Sequence, residues 1–221
     1  MRSTAVTRST LRQQIADALR EEVLAGRLKA GQEFTVKEIA EQYGVSATPV
    51  REALVDLSAQ GLLDSVQHRG FKVHEFSVAD YRGMVEARAL VSEAIFRGIA
   101  DRGTGPLADA MGSVRRRAEE AQRAAIAGDL NVLIGYDLRF WRELGSLYGN
   151  PYLSDFLHRL RVQAWVFAVP YLRRAHDLEG RLWSGHTELV EAVASLDAAG
   201  AYAIVSAYNE HSLALVERLA R

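Results

Sequence analysis

Residues 44–54 read Gly-Val-Ser-Ala-Thr-Pro-Val-Arg-Glu-Ala-Leu and follow closely on a helix start at Thr35. This run limits the fold more than any other stretch of the chain. Thr35 and Glu38 have the spacing of a capping box, in which each side chain satisfies a backbone donor of the other. Tyr43-Gly44-Val45 closes that helix and makes a tight turn, glycine being the residue most tolerant of a left-handed cap. Ser46 is placed to cap the next helix, and Pro49 falls in its first turn, where a missing N–H costs nothing. Val50, Leu54 and Leu57 then mark one buried face, and Gly61 ends the helix. Two helices joined this tightly form a helix-turn-helix, whose second helix can be aimed at a DNA groove.

The flanking residues extend the unit. Leu11, Ile15, Leu19 and Val23 recur every four residues, which predicts a helix over Thr10–Ala25 stopped by Gly26. A loop containing Gly31 covers Arg27–Phe34. Over residues 62–76 the period changes to two, with Phe71, Val73 and Glu75 on one side and Lys72 and His74 on the other. With Arg69-Gly70 as the turn, this is a small hairpin. Residues 10–76 therefore read as a winged helix-turn-helix preceded by a flexible arm, residues 1–9. From Ser77, paired with Asp80 as a start signal, the pattern is helical to the end. Helices are expected near 78–102, 105–127, 130–147, 151–175, 179–195 and 198–220. The breaks fall at Gly103, Gly128-Asp129, Gly149-Asn150-Pro151, 177–180 and Asp197. The fold class is thus mainly α: a winged helix-turn-helix followed by an all-α antiparallel bundle over residues 77–221. Arg115-Arg116-Arg117 reads as a solvated helix face.

Composition removes several function classes. The 221-residue chain has no cysteine, which excludes disulfide scaffolds and thiolate metal sites and suits a reducing cytoplasm. No apolar run approaches the roughly 20 residues needed to cross a bilayer, and the N-terminus has no apolar signal core. A cytoplasmic location without a membrane partner is the expectation. The net charge of −1 means that any nucleic-acid surface is a local patch. There are no Glu-x-x-His pairs of the di-iron type, no Gly-rich phosphate loop and no nucleophile elbow, so the chain does not read as an enzyme.

The chemistry of the head follows from its geometry. A helix beginning at Ala47 would enter a major groove by its N-terminal end, where free amides and the helix dipole favour a phosphate. Ser46 and Thr48 can donate hydroxyl hydrogen bonds. Arg51, one turn in, can reach a phosphate or the O6/N7 edge of guanine. Lys37 would meet the DNA backbone. His68 and Arg69 at the hairpin tip suit the adjacent minor groove, and Gly70 allows close approach. A winged helix can also serve as a protein-interaction module without DNA. The clustering of Thr48, Arg51, His68 and Arg69 on one surface favours DNA.

The motif at 44–54, together with Gly61-Leu62-Leu63 and Gln67-His68-Arg69-Gly70-Phe71-Lys72-Val73, resembles the GntR family of bacterial transcriptional regulators. The C-terminal half resembles the FCD effector domain of that family's FadR-like branch. Its landmarks are Asp137-Leu-Arg-Phe-Trp141, Gly149-Asn150-Pro151, Gly185-His186 and Asp197. By its helix number it is closer to the shorter VanR-type variant. The resemblance implies double-stranded operator DNA as a partner, contacted at Lys37, Ser46, Ala47, Thr48, Arg51, His68 and Gly70. Ala47 stands where many relatives carry arginine. It further implies a homodimer and a repressor released by a small-molecule effector, a small organic acid.

The family's metal site uses an aspartate and three histidines. Here Asp137 fills the aspartate position and His186 the second histidine. Trp141 and Tyr208 stand where the other two histidines belong, with His211 one turn beyond Tyr208. Two readings follow from the resemblance. In one, Asp137, His186 and His211 hold a divalent metal (zinc, nickel or manganese). In the other, the pocket binds an organic carboxylate directly, using Arg88, Asp137, Trp141, His186 and Tyr208. Arg88 lies where the family often carries an inward arginine, and an ion pair with Glu86 or Glu93 is the structural alternative. Arg139 reads as solvent-facing, and Trp165 and Trp183 as mainly core.

Overall fold

Thr10 is the N-cap of α1 (Leu11–Leu24). Its hydroxyl accepts from the Gln13 amide while the Gln13 side chain accepts from the Thr10 amide. The computed structural model describes residues 10–67, 69–102 and 107–220. The arm over 1–9, the hairpin-tip residue His68 and the helix break at Gly103 lie outside the described residues. Ile15, Leu19 and Val23 form the buried stripe of α1, whereas Leu11, at the very start of the helix, is exposed. The chain separates into two compact units between Glu75 and Phe76.

The first unit continues with β1 (Glu33–Phe34), α2 (Val36–Tyr43), α3 (Ala47–Ala59), β2 (Leu63–Val66) and β3 (Gly70–Val73). The Thr35–Glu38 capping box is formed in both directions. Gly44 sits at φ +64° and its N–H reaches back to the Ala40 and Glu41 carbonyls, which turns the chain between the two helices. Ser46 holds the N-cap position of α3, but its side chain makes no capping hydrogen bond, unlike the expectation from its type. Val50, Ala53, Leu54 and Leu57 of α3 pack into the core with almost no exposure.

The hairpin gains a third strand that the pattern of 27–34 does not reveal. β1 pairs antiparallel with β3, giving the order β1-β3-β2 with Phe34 opposite Phe71 and Leu63 opposite Val73. Two residues are too few to show a period, and β1 forms because β3 offers a free edge. Gly70, at φ +125°, is needed for this pairing. A Cβ there would lie 2.4 Å from the Phe34 carbonyl oxygen.

The second unit is helical: α4 (Val78–Arg102), α5 (Leu107–Ile126), α6 (Leu130–Ser146), α7 (Pro151–Arg174), α8 (His186–Ala194) and α9 (Ala198–Leu219). Ser77 and Asp80 cap each other's backbone donors at the start of α4. Asp129, Asn150 and Asp197 cap α6, α7 and α9. The exception to the expected spans is α8, which begins at His186 and not near 179. Gly180 takes φ +65° and donates its N–H to the Ile126 carbonyl. Gly185 lies so close to the Trp183 ring that a Cβ would come within 2.8 Å. Residues 178–185 therefore run as an irregular segment that buries Leu182 and packs Trp183 against the bundle. Arg115 and Arg117 do not simply face solvent: they pair with Glu191 of α8 and Glu143 of α6. Among the described residues no helix is long and apolar enough to cross a membrane.

Truncating the fully buried Leu54 to alanine is expected to destabilise the first unit by about 2–5 kcal/mol. The neighbouring Val55→Ala, at a side chain 54% exposed, should stay within about 0.5 kcal/mol. Denaturant unfolding of the two variants against the parent measures both.

Candidate DNA-reading surface and effector cavity

In the first unit, α2 and α3 present a polar edge. Ser46, Ala47, Thr48, Arg51 and Glu52 are all exposed around the start of α3, on the side opposite the buried Val50 and Leu54. Because Ser46 does not cap, its hydroxyl is free to donate outward. Among the described residues Arg51 has no ion-pair partner. Lys37 is exposed on α2 and lies 3.7 Å from Glu41, one turn away. A surface pair of this kind contributes about 0.3–0.5 kcal/mol, so it yields readily to a phosphate. At the wing, the Arg69 amide closes the turn onto the Val66 carbonyl and its side chain is exposed beside Gly70. The sequence-derived positions Lys37, Ser46, Ala47, Thr48, Arg51, Arg69 and Gly70 thus all lie in the helix-turn-helix or the wing. His68 lies outside the described residues.

In the second unit, α4, α6, α7, α8, α9 and the segment before α8 line a cavity that opens to solvent. Its wall is mostly apolar: Leu133, Ala164, Ala168, Leu172, Leu182, Leu215 and Val216 contribute. Into it are set a few buried polar groups, the usual anatomy of a small-molecule site. Asp137 is the hub. Its Oδ1 accepts from the Trp141 Nε1–H at 2.9 Å and from His186 Nε2 at 3.2 Å, and its Oδ2 accepts from the Trp165 Nε1–H at 2.8 Å. Burial alone would raise the Asp137 pKa. The His186 hydrogen bond and charge, the Arg161 charge and the Trp165 N–H outweigh it and hold the carboxyl below its ordinary range.

Two arginines share this interior. Arg88 is buried and bound to Asn209 Oδ1 through Nε (3.0 Å) and Nη2 (2.8 Å), with Nη1 3.4 Å from the Tyr208 hydroxyl. The expected alternative of an ion pair with Glu86 or Glu93 is not formed. Arg161 is equally buried, with its Cζ 3.6 Å from the centre of the Trp141 ring. Sequence reasoning did not single out Arg161, although a signal was present. It interrupts the buried stripe of α7 at the spacing Leu157, Arg161, Ala164, Ala168, Leu172. Trp165 and Trp183, read as mainly core, also line the cavity, and Trp183 packs against the core as well. Arg139 is exposed, as its position suggests.

The metal reading does not fit this geometry. His211 is exposed, and its Nε2 lies 2.8 Å from the Arg181 carbonyl oxygen, which that nitrogen can only meet as a donor. Both carboxylate oxygens of Asp137 accept from indole N–H groups, which cannot themselves ligate a metal. Among the described residues no group of three His, Cys, Asp or Glu is placed to hold a metal.

The family model for bacterial regulatory proteins of the gntR family matches residues 6–73, and the model for the FCD domain matches residues 83–211. The chain belongs to the GntR family. A probable D-xylose utilization operon transcriptional repressor from Paenarthrobacter nicotinovorans is 35% identical over 73% of this chain and 70% of its own length. The HTH-type transcriptional regulator McbR of Escherichia coli is 26% identical over 74% of this chain and 71% of its own length. The solved structure of E. coli McbR/YncC superposes with a TM-score of 0.81 at 22% identity, covering 97% of this chain and 100% of that one. A GntR regulator structure from Rhodococcus superposes with a TM-score of 0.72 at 20% identity, over 94% of this chain and 98% of that one. These GntR relatives are transcriptional regulators, not enzymes, and the first unit of this chain is a DNA-binding head.

The Asp137 hub has a pH signature. A carboxyl held low in the folded state contributes stability that is fully present above its unfolded value of about 3.9 and is lost as pH falls through the folded value. Asp137→Asn should flatten that acid limb in a pH series of thermal melts. At neutral pH it should destabilise the second unit by about 3–5 kcal/mol, because two indole donors and His186 lose a shared charged acceptor.

Proposed function

We propose that this regulator is a ligand-responsive repressor, acting in the cytoplasm as a homodimer, that a small organic acid releases from its operator. The observation that carries the reading is the charge inside the cavity. Arg88 and Arg161 are both buried, and Asp137, the one buried carboxylate among the described residues, already has its oxygens occupied by N–H donors. A surplus buried cation in an apolar cavity is costly when alone and is relieved by an anion. The effector is therefore an acid, received in the cavity whose wall includes Arg88, Asp137, Arg161, His186 and Tyr208, with Trp141 packed in the core behind it. The FCD match supports a small-molecule role for this unit, and the relative whose name describes an operon repressor supports repression as the direction of control.

A two-fold dimer brings two reading helices to two half-sites, so the operator would be a near-palindrome. In each head Lys37 and the α3 amides fix the register on phosphates. Thr48 and Arg51 read base edges. Ala47 replaces a polar contact with a methyl that suits thymine, and His68, Arg69 and Gly70 enter the minor groove. Effector and operator affinities are then coupled by one reciprocal factor.

A gel shift with the DNA upstream of the regulator's own gene tests the head. Arg51→Ala should weaken binding by about 1–3 kcal/mol, a five- to 150-fold loss, with the melting temperature unchanged. The slope of log affinity against log salt should fall by about one contact if Arg51 meets phosphate and stay constant if it meets guanine. Binding equal to the parent would move the reading surface elsewhere.

A further inference from the structure

We infer that Arg161, and not Arg88, is the seat for the acid group of the effector, and that the effector is a small carboxylate with a largely apolar body. This rests on the effector reading above and sharpens it. The two buried arginines are not equivalent. Arg88 has its Nε and Nη2 committed to Asn209 and its Nη1 turned to Tyr208. It ties α4 to α9, with three of its five N–H groups already directed at Asn209 and Tyr208. Arg161 lies flat against the Trp141 ring at 3.6 Å, and its Nη1 is buried without a hydrogen-bond partner among the described residues. A guanidinium stacked by its face keeps its edge N–H groups for an in-plane acceptor, and the fork of those groups matches a carboxylate. The protein's own carboxylate cannot fill that role, since Asp137 is held by Trp141, Trp165 and His186.

The electrostatics point the same way. Burial, followed by the neighbouring charge of Arg88, pushes the Arg161 pKa down to about 9, against the opposing pull of Tyr208 and Asp137. The group stays cationic at neutral pH but in an unfavourable surrounding, which a bound anion would reverse. Two buried guanidinium groups against one carboxylate leave positive charge unmatched, which favours an anionic group on the ligand. The rest of the wall, with Leu133, Leu172, Leu182, Leu215 and Val216 in it, provides apolar surface. An aliphatic or aromatic part of the ligand would rest against these side chains, while His186, whose Nδ1 is buried without a partner, and Ser212 also line the wall.

Calorimetric titration of the full-length protein with cyclohexanecarboxylate, and with its neutral isostere cyclohexanecarboxamide, tests the assignment. The acid should bind saturably and the amide at least tenfold more weakly. Arg161→Met should lose at least thirtyfold in affinity for the acid while melting close to the parent, because the lost attraction to Asp137 and Tyr208 is offset by removal of a costly buried charge. Arg161→Lys, which keeps the charge but not the fork, should lose at least fivefold. Arg88→Met should change affinity less than fivefold yet melt lower, since Asn209 is left without its partner. Parent-like affinity in Arg161→Met, a larger affinity loss in Arg88→Met, or a marked drop in the Arg161→Met melting temperature would overturn the seat while leaving an acid effector in place. Equal binding of acid and amide would overturn the acid seat altogether. No binding of either compound by the parent would take down both this inference and the effector reading beneath it.

Discussion

The second unit is organised around a carboxylate that has been taken out of water. Burying an ionised carboxyl costs several kcal/mol even after relaxation, and the cost is met only if its lone pairs are filled with good geometry. Asp137 meets that demand with donors from three helices: Trp141 from its own helix α6, Trp165 from α7 and His186 from the first turn of α8. Hydrogen bonds to a charged group contribute about 1.5–3 kcal/mol each, so the three together are of the size needed to offset the burial. The same contacts fix the relative rotation of those helices. That rotation decides which faces line the cavity, including where α7 carries Arg161.

This arrangement also explains the two tryptophans at the site. An indole can donate but cannot accept or ligate. With Trp141 one helical turn from Asp137, the carboxylate is engaged from within its own helix, and Trp165 closes the other oxygen. The carboxylate becomes a structural anchor. The aromatic surface introduced with it serves a second purpose, as Trp141 stacks on Arg161 and lies close to Tyr208 and Trp183.

What could be read in the sequence, and what could not, divides along physical lines. Helix caps are local, so Thr10, Thr35, Ser77, Asp129, Asn150 and Asp197 announce the elements they begin. Ser46 shows the limit of that logic, because it has the right type and position but leaves its hydroxyl unbonded. The helix-turn-helix positions are legible because their spacing alone puts them on one exposed face. β1 is not, since two residues carry no period and the strand exists only through β3. The late start of α8 is set by Gly128 and Ile126 receiving the chain at Glu179 and Gly180, contacts across dozens of residues. Arg161 falls between these cases. Its place in an apolar stripe is visible, but a lone arginine on such a stripe is informative only once the helix phase and the neighbouring charges are known.

The energetic scale of control constrains which contacts can matter. Moving a two-state equilibrium from 99:1 to 1:99 takes a difference of about 5.5 kcal/mol between an effector's affinities for the two states. Apolar burial alone adapts to small changes in cavity shape and discriminates weakly between them. A guanidinium–carboxylate pair is directional, and a displacement of its N–H groups by an ångström removes most of its advantage. If one state of the bundle holds Arg161 flat on Trp141 with its edge presented, and the other does not, the acid group supplies the discrimination while the apolar body supplies affinity common to both. Arg88 would then take no direct part in recognition. By holding α4 to α9 through Asn209, it would define the frame within which the presentation of Arg161 can change.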